Sequence, residues 1–582
     1  MSAPALPDWL DPLYGAEQMR AIDAWAIAER EIPSLDLMER AGAGLALTVD
    51  RLVPRGPIAI VCGKGNNGGD GFVAGRLLRG MGRQVRVLTL AAPDEHRSDA
   101  AVNLRLLEGA HEPFHPFGLD DAAVIVDAIL GTGFDGQPHG AVKDAIEAIA
   151  VLDAPVVAAD VASGVDASTG EAAGVAVLAT ATATFAAAKP GHWIAPGKRL
   201  TGELRVIDIG IAVRDAPVAA DVGLLTARVH ALVPRREAPA TKFSSGHVVV
   251  AGGSRGLTGA PCLASEAAMR AGAGYVTALV PRSLELVFET RLLEVMTRGL
   301  PDEDGALTPA GVDEAVDAAA RAGALVLGPG LGRSAGAFAF ARAVAARAGV
   351  ALLLDADGLN AHAGALEQLA GRRVPTVLTP HAGELARLLG RSSREIDARR
   401  LRSAREAARR SGAVVVLKGD DTIVAAPDGR AAINGLGAPA LATAGTGDVL
   451  AGVIGALLAK GLEPFAAACA GVRRHAAAGR VAAARHGADG VIASDVIAAL
   501  GHAPDGEPAG DAAPGIPPPA DDRRVNPPNL AAPRSREQFL SADLPLSEGA
   551  RPEDSRPINA DRTHDIEPST IFGGSAPLRP PP

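Results

Sequence analysis

The fold of the chain is decided by the stretch Ala442-Thr443-Ala444-Gly445-Thr446-Gly447-Asp448-Val449-Leu450-Ala451-Gly452. Small residues and two glycines lead into one carboxylate, and the apolar run over residues 449–458 predicts a helix. The amide groups at the start of such a helix would face the glycines and suit a phosphate. A carboxylate repels a phosphate, so Asp448 favours a site where a hydroxyl loses its proton while a phosphoryl group arrives. The alternative is a glycine turn in which Asp448 caps the helix.

Length and composition limit the classes of protein that remain. A chain of 582 residues exceeds one ordinary domain, and a formal net charge of -10 argues against nucleic acid as a partner. The cysteines, Cys62, Cys262 and Cys469, have neither metal-ligand nor disulfide spacing and indicate a reducing compartment. Because we find no signal-peptide pattern and no long apolar run, we expect a cytoplasmic protein that does not enter a membrane.

Residues 14–215 alternate apolar β-type runs with helical patterns, which predicts an α/β domain with a mainly parallel sheet. A strand over residues 57–62 runs into Gly63-Lys64-Gly65-Asn66-Asn67-Gly68-Gly69-Asp70-Gly71 and then into a helix over residues 72–79. This succession predicts a site for a dinucleotide phosphate, although the glycine spacing is not G-x-G-x-x-G. A flexible turn is the alternative.

Two further strands of this half, over residues 123–126 and 155–159, also end in polar residues. Asp127 follows the first strand, and Asp160-Val161-Ala162-Ser163-Gly164 follows the second. Because the carboxyl ends of parallel strands share one edge of a sheet, Asn67, Asp127 and Ser163 could together hold a cation through oxygen atoms. Taken alone, Asp127 and Asp160 could equally be loop caps.

Residues 216–240 read as a charged, turn-prone linker, and residues 241–502 predict a second α/β domain. Its strands lead into four glycine-rich or polar segments: Gly252-Gly253-Ser254, Gly328-Pro329-Gly330-Leu331-Gly332, Thr379-Pro380-His381-Ala382-Gly383-Glu384 and Lys418-Gly419-Asp420-Asp421-Thr422. Residues 503–582 are rich in proline and poor in apolar residues, so we expect a disordered tail there.

The motifs of the two halves together resemble one family. Asn66-Asn67-Gly68-Gly69-Asp70-Gly71 with Asp127-Ala128-Ile129-Leu130-Gly131-Thr132-Gly133 is similar to NAD(P)H-hydrate epimerase domains. The second-half segments with Gly445-Thr446-Gly447-Asp448 are similar to ribokinase-like NAD(P)H-hydrate dehydratase domains. Their order is that of the bifunctional NAD(P)H-hydrate repair enzymes of bacteria. The resemblance therefore implies a Rossmann-like three-layer domain over residues 14–215 and a ribokinase-like domain over residues 241–502.

The resemblance also implies two reactions. The first domain would interconvert the R and S hydrates, in which water has added to the nicotinamide ring. The second would dehydrate the S form at the expense of ADP, releasing AMP and phosphate. Implied cofactors are K+ in the epimerase domain and Mg2+ in the dehydratase domain, with ADP as co-substrate.

The same resemblance assigns residues to the two sites. Asn67, Asp127 and Ser163 would hold K+, and Asp160 is our candidate for the proton transfer of epimerisation. Asp448 would take the C6 hydroxyl proton. The implied hydrate-binding residues are Asn66, Asn67, Gly68, Gly69, Asp70, Gly131, Thr132, Gly133, Phe134, Asp135, Gly136, Gln137, Ala260, Gly330, Gly332 and His381. The implied nucleotide-binding residues are Lys418, Gly419, Asp420, Asp421, Thr422 and Gly447.

The sequence departs from the pattern that this assignment favours at two places. Ala162 stands where the family usually has proline, and Asp420 and Asp421 bring two negative charges to the expected nucleotide.

A vitamin or sugar kinase is the alternative function for the second half, and a non-catalytic nucleotide-binding scaffold is a third. Fusion to the first half argues against the kinase, and intact Asp448 and Asp160 argue against the scaffold. As partners we expect NAD(P)H hydrates, ADP and further copies of the chain, and neither nucleic acid nor a membrane.

Overall fold

The computed structural model describes residues 5–502 of the chain. The predicted tail over residues 503–582 lies outside the described residues. Up to the linker, the strands and helices are β1 (Leu10–Leu13), α1 (Ala16–Glu29), α2 (Ser34–Leu52), β2 (Ile58–Cys62), α3 (Asn66–Gly80), β3 (Val85–Thr89), α4 (Ser98–Arg105), β4 (Glu112–Pro113), β5 (Val124–Ala128), α5 (Gly140–Ala150), β6 (Val156–Ala159), β7 (Ala181–Phe185), α6 (Gly197–Thr201), β8 (Glu203–Ile207) and β9 (Val222–Leu225).

The second half begins with a buried strand and ends in helices. Its elements are β10 (His247–Ala251), α7 (Gly259–Arg270), β11 (Tyr275–Pro281), α8 (Glu285–Arg291), β12 (Met296–Leu300), β13 (Asp302–Glu303), β14 (Ala306–Leu307), α9 (Val312–Ala319), β15 (Ala324–Leu327), α10 (Ala335–Arg347), β16 (Ala351–Leu354), α11 (Asp357–Asn360), β17 (Thr376–Leu378), α12 (Ala382–Leu389), α13 (Ser393–Ala398), α14 (Arg400–Ser411), β18 (Val414–Leu417), β19 (Ile423–Ala425), β20 (Ala431–Ile433), α15 (Thr446–Ala459), α16 (Pro464–His486) and α17 (Ala493–Ala499).

The first half is built on a seven-stranded, fully parallel sheet in the order β4-β3-β2-β5-β6-β7-β8. Apolar side chains of α1, α2 and α3 bury one face of this sheet, and those of α5 bury the other, so the domain has three layers. The chain reverses its direction across the sheet between β2 and β5. In parallel α/β sheets such a point opens a crevice at the carboxyl ends of the strands, where ligands bind.

The second half is built on an eleven-stranded sheet in the order β1-β9-β20-β19-β18-β17-β16-β15-β10-β11-β12. The strands from β18 to β12 are parallel, whereas β19 runs antiparallel to both of its neighbours. Helices α7, α15, α16 and α17 cover one face of the sheet, and α9, α10, α12 and α14 cover the other. Helix α15 can lie close to α7 because Gly452 has no side chain. A side chain there would collide with the Ala264 carbonyl.

Two strands of the second sheet come from outside residues 241–502. Strand β1, from the start of the chain, pairs with β9, and β9 pairs with β20. The predicted linker is therefore not only a connection, because it contributes β9 to the sheet. Trp193 and Ile194 belong to the same buried cluster as the second sheet, and a side chain at Gly435 would lie 2.8 Å from the Trp193 ring. The two halves thus share a core.

The α/β class and the predicted strands are confirmed, with differences at three element ends. Helix α3 begins at Asn66 rather than at residue 72, so the polar glycine-rich stretch forms its first turns. Asp127 lies within β5 rather than after it. Helix α15 begins at Thr446, which places Asp448 inside the first turn and not at the N-cap. In each case tertiary packing overrides the weak local helix or strand propensity of the residues.

The other structural expectations have simple outcomes. The three cysteines are free and buried, as predicted. Over residues 5–502, none of the helices has both the length and the apolar character needed to cross a bilayer. The cytoplasmic location stays a prediction.

Candidate active sites

The crevice of the first half is formed by the start of α3 and by the loop after β5. Close packing of glycines brings the first turn of α3 against the strand ends, since a side chain at Gly68 would collide with the Gly63 carbonyl. The first amides of a helix have no partners within the helix, so this position suits a phosphate. Opposite them, Gly133 and Gly136 border open space. The structure thus brings the predicted residues 66–70 and 131–137 to one edge.

Oxygen atoms converge on the backbone of Leu130 at this edge. Asn67 Nδ2 donates to the Leu130 carbonyl at 2.9 Å, and the Leu130 amide donates to Ser163 Oγ at 2.9 Å. Ser163 Oγ donates in turn to Asp127 Oδ1 at 2.6 Å, and the Ser163 amide donates to Asp127 Oδ2 at 2.8 Å. Asn67 Oδ1 is buried without a hydrogen-bond partner. A buried carboxylate and an unpaired amide oxygen fit a monovalent cation, and burial raises the pKa of Asp127 to about 6.

Asp160 occupies a strained position directly after β6, with a φ of 66° that is uncommon for a non-glycine residue. Its Oδ2 accepts from the amide of Thr132 at 2.9 Å and also from the Thr132 hydroxyl. Its Oδ1 accepts from Thr184 Oγ1 at 3.2 Å and from Lys189 Nζ at 2.5 Å. The Lys189 side chain is only 2% exposed. A fixed, buried ammonium therefore holds the carboxylate in place.

The charges at this site push the pKa values of neighbouring carboxyls apart. Burial alone would raise the pKa of Asp160, but the Lys189 ammonium and hydrogen bonds from Lys189 and Thr132 hold it well below its usual range. Burial, together with the charges of Asp160 and Asp23, raises the pKa of Asp70 well above its usual range. Burial also raises the pKa of Asp23 to about 6. The two carboxyls therefore differ in the direction of their pKa shift, which is downward for Asp160 and upward for Asp70.

His192 fixes the backbone on the other side of Asp160. Its Nδ1 accepts from the Lys189 amide at 3.1 Å, so Nε2 carries the hydrogen that binds the Asp160 carbonyl at 2.9 Å. Burial first, and then the Lys189 charge, lower the pKa of His192 to about 4. The imidazole is therefore neutral and does not exchange protons near pH 7.

The second site lies at the start of α15. Gly445, at a φ of 89°, is the N-cap of this helix, and a side chain there would approach Leu263 Cδ1 to 2.7 Å. Thr446 closes the loop, since its single hydroxyl hydrogen is shared between the carbonyls of Leu441 and Thr443, 2.7 and 2.8 Å from Oγ1. His475 of α16 is buried and forms a backbone hydrogen bond at Thr446. Hydrogen bonds thus hold the loop at the N-terminus of a helix, a position that suits phosphate binding.

Asp448 stands in a cluster of charges at the carboxyl ends of β16, β17 and β18. Lys418 Nζ donates to Asp355 Oδ1 at 2.9 Å and lies 3.8 Å from Glu384 Oε2. It is also close to the first turn of α15, 3.4 Å from where a side chain at Gly447 would begin. Burial, and then the charges of Asp355 and Glu384, raise the pKa of Asp448 to about 7, against the lowering effect of Lys418. A base with this pKa suits proton removal near neutral pH.

The predicted hydrate-binding residues of the second half lie in two groups around this cluster. Gly330, with a φ of 62°, packs against α7, where a side chain on it would lie 3.2 Å from the Ala260 side chain. Gly332 donates its amide to Asp357 Oδ2 at 3.1 Å. His381, on the other side, is the N-cap of α12, and its Nε2 lies 3.6 Å from Glu384 Oε1. Burial lowers the pKa of His381, so the ring is neutral at pH 7.

The two aspartates of the 418–422 loop do not face a bound nucleotide as bare charges. Asp421 is 2% exposed, and its carboxylate lies 2.9 Å from Arg400 Nε and accepts from the Ala195 amide at 2.8 Å. Asp420 Oδ2 accepts from Lys198 Nζ at 2.5 Å. Each negative charge is thus matched by a cation, which removes the objection raised by the sequence. Ala195 and Lys198 belong to the first half of the chain.

Several residues of these sites are absent from the set predicted from sequence. In the first site they are Lys189, Asp23, Thr184 and His192, and in the second they are Asp355, Glu384, Arg400 and His475. Asp355 and Glu384 follow strands as the predicted residues do, so strand-end position is a signal that identifies them. The others are distant in sequence from the motifs. No group of three or more His, Cys, Asp or Glu side chains within residues 5–502 is arranged to hold a metal ion.

Comparison with known proteins gives matches over both halves. The family model described as YjeF-related protein N-terminus matches residues 34–191, and that described as NAD(P)H-hydrate dehydratase matches residues 248–501. The bifunctional NAD(P)H-hydrate repair enzyme of Moorella thermoacetica is 41% identical over 503 residues, covering 83% of this chain and 95% of the relative. The corresponding enzymes of Salinibacter ruber and Escherichia coli are 40% and 36% identical and cover 84% and 76% of this chain, and 95% and 84% of their own.

Among the solved structures that are similar to this chain is one that matches its second half. It is the ADP/ATP-dependent NAD(P)H-hydrate dehydratase of Bacillus subtilis, co-crystallised with ATP and Mg2+. The two chains are 30% identical, with a TM-score of 0.43, and the match covers 48% of this chain and 96% of the other.

Proposed function

The chain belongs to the family of bifunctional NAD(P)H-hydrate repair enzymes, and from that premise we propose how its residues carry out the two reactions. It is an enzyme with NAD(P)H-hydrate epimerase and dehydratase activities. We assign epimerisation to residues 14–215 and dehydration to residues 241–502. The two crevices, each at the carboxyl ends of parallel strands, support this division.

The dehydratase reaction requires a better leaving group than hydroxide. Asp448 takes the proton of the C6 hydroxyl as that oxygen attacks the terminal phosphoryl group of ADP, which breaks the bond to AMP. The amides at the start of α15 and the Lys418 ammonium hold the charge that develops on the phosphoryl group. Phosphate then leaves C6, driven by the lone pair of the ring nitrogen, and loss of the C5 proton restores NAD(P)H. The pKa of about 7 for Asp448, beside Lys418, is the observation that carries this assignment.

The nucleotide is placed by the loop of residues 418–422 and by Gly447. Lys418 reaches both the carboxylate cluster and the start of α15, so it spans the path from nucleotide to hydroxyl. Mg2+ would enter with the nucleotide phosphates and neutralise them, because a site of this kind needs only one or two protein carboxylates. Asp355 and Glu384 are the carboxylates near Lys418 that fit this role.

Epimerisation in the first half is assigned to the pair of Asp160 and Asp70. Asp160, whose pKa is lowered, takes the C6 hydroxyl proton as the bond from C6 to the ring nitrogen opens, and Asp70, whose pKa is raised, gives a proton to that nitrogen. Closure on the other face of C6 reverses both transfers, so protons balance. The opposite pKa shifts of these two buried carboxyls carry the assignment. K+ would be held by Asn67, Asp127 and Ser163, where it would fix the loop after β5 and supply positive charge.

The proposal is tested with purified S and R hydrates of NADH, K+, Mg2+ and either ADP or ATP. We expect recovery of NADH absorbance from the S form to depend on nucleotide, and recovery from the R form to depend in addition on the first site. Asp448→Asn should abolish recovery from both forms, whereas Asp160→Asn should abolish only recovery from the R form. A stable phosphoester in place of NADH would contradict the dehydratase assignment. A normal epimerisation rate in the Asp160 variant would contradict the role of that residue.

A further inference from the structure

The loop of residues 418–422, to which we assign the nucleotide, is held from two sides. Within its own half, Arg400 is 5% exposed, contacts Asp421 through Nε and donates from Nη2 to the Lys418 carbonyl at 3.2 Å. From the first half, the Ala195 amide donates to Asp421, and Lys198 Nζ donates both to the Asp420 carboxylate and, at 3.2 Å, to the Asp420 carbonyl. The loop is therefore fixed by groups on both halves of the chain.

The two aspartates differ in where their counter-charge comes from. Asp421 is neutralised by Arg400, which lies 21 residues away in the same half. Asp420 is neutralised by Lys198, which lies 222 residues away in the first half. The Lys198 side chain is 9% exposed, whereas that of Asp420 is 58% exposed and stands at the open side of the loop. Without Lys198, the Asp420 charge would be uncompensated in the loop to which we assign the nucleotide phosphates.

Lys198 is positioned by the segment that also builds the epimerase site. This segment, residues 189–201, starts at Lys189 beside Asp160 and runs through Trp193, which is buried in the core shared with the second sheet. It ends in α6, where the Lys198 amide donates to the Ile194 carbonyl at 2.9 Å. The ammonium is thus directed at the nucleotide loop by packing and does not depend on a flexible surface position.

We propose that Lys198 is a positioning residue for the dehydratase reaction, contributed by the epimerase half. It neutralises Asp420 and holds the 418–422 loop in the form that accepts the nucleotide phosphates. The proposal rests on the function assigned above, and in particular on nucleotide binding at that loop. The dehydratase site of this chain is therefore complete only when the first half is attached.

The experiment measures nucleotide KM and kcat for dehydration of the S hydrate by the full chain at low salt. Lys198→Met should raise the nucleotide KM about tenfold, the scale of one uncompensated charge near a phosphate, with little change in kcat. The increase should shrink as salt is added, because salt screens the repulsion. Lys198→Arg, which keeps the charge, should retain the native KM. Lys198→Met combined with Asp420→Asn should restore it.

A matched control is Arg402→Met. Arg402 Nε lies 2.6 Å from Glu171, so this pair also joins the two halves, but the Arg402 side chain is 61% exposed and its ion pairs are with Glu171 and Asp166, outside the loop. It should leave the nucleotide KM unchanged. Epimerisation without nucleotide, measured by separating the R and S hydrates, reports whether the first half is intact in each variant.

The outcomes separate this proposal from the function on which it rests. A native chain that recovers no NADH with ADP or ATP would refute the assigned function. A native chain that does so, with an unchanged KM in Lys198→Met, would refute only the role of Lys198. A raised KM that neither salt nor Asp420→Asn corrects would also refute it, since the loss would then be structural. If Lys198→Met does not fold, the variant that combines it with Asp420→Asn decides the question. Both charges are absent in it, so a native nucleotide KM supports the proposal and a raised KM contradicts it.

Discussion

Replacing Lys189 by methionine is the change that most directly tests how the first site is built. Lys189 Nζ donates to Asp160 Oδ1, to Thr184 Oγ1 at 2.7 Å and to the Phe185 carbonyl at 3.1 Å, in a place where its side chain is 2% exposed. Breaking a buried ion pair from one side leaves the other charge uncompensated and costs about 3–5 kcal/mol. In a unit of about 150–250 residues each kcal/mol lowers the unfolding temperature by about 2–4 °C; because the two halves share a core and form a larger unit, we expect a decrease of several degrees and at most about 20 °C.

The same substitution should change the pH dependence of epimerisation. With Lys189 present, the pKa of Asp160 is depressed, so the stabilisation is complete above the usual aspartate range and is lost as pH falls through the lower folded-state pKa. Without Lys189, burial is the largest remaining influence and raises the pKa of Asp160. A larger share of the base is then protonated at a given pH, so the epimerisation profile should move to higher pH.

The assay combines thermal unfolding with epimerisation of separated hydrates in the absence of nucleotide. Lys143→Met is the matched control, because Lys143 is 49% exposed and its pair with Glu147 is worth about 0.3–0.5 kcal/mol. Lys189→Met with Asp160→Asn should be less destabilised than Lys189→Met alone, since no unpaired charge remains buried. An unfolding temperature of Lys189→Met within 2 °C of that of the native chain, roughly the size of a surface effect, would contradict the proposed role of the buried Lys189–Asp160 pair. An unchanged pH profile of epimerisation would contradict it as well.

Three further predictions address the other groups. Dehydration of the S hydrate should slow about tenfold per pH unit below pH 7 and level off above it, because the raised pKa of Asp448 requires loss of its proton; a flat profile of initial rates would contradict this. Gly445→Ala should lower dehydratase kcat about tenfold or more without affecting epimerisation, because its φ of 89° and the nearby Leu263 do not accept a side chain. The epimerase rate should rise with KCl but not with choline chloride, and Asn67→Ala should remove this difference; equal rates in both salts for the native chain would exclude the cation site.

Much of the scaffold follows from local sequence pattern. The buried strands β15, β17 and β18 are short runs that lead into glycine-rich or polar segments, and each ends directly before the segment that the sequence pattern identifies. The glycine-rich or polar segments that follow these strands and β2 can also be identified from the local sequence. The sequence pattern predicts too late a start for α3, because residues 66–71 have weak helix propensity. The close approach of the glycines to neighbouring backbone decides their conformation instead.

The charged partners of the catalytic residues could not be predicted in the same way. Lys189 reaches Asp160 across 29 residues, and Lys198 reaches Asp420 across 222. No periodicity or spacing in the sequence connects such positions, because the contact depends on how β7 and the segment after it fold back on β6. The sequence therefore predicts which residues occupy the strand ends but not which cations neutralise them.

Each of the two sites places an aspartate close to a lysine, but the pKa of the aspartate is lowered in the first site and raised in the second. In the first, one buried ammonium serves Asp160 and keeps it ionised at any pH near neutrality. In the second, Lys418 is shared among Asp355, Glu384 and Asp448, so its charge does not offset the burial of Asp448. A phosphate that entered the second site without its cation would add negative charge and raise the pKa of Asp448 further, whereas Mg2+ on the phosphates would offset that charge. Proton removal by Asp448 near neutral pH therefore requires that the phosphate charge be neutralised, which couples this step to the arrival of Mg2+ with the nucleotide.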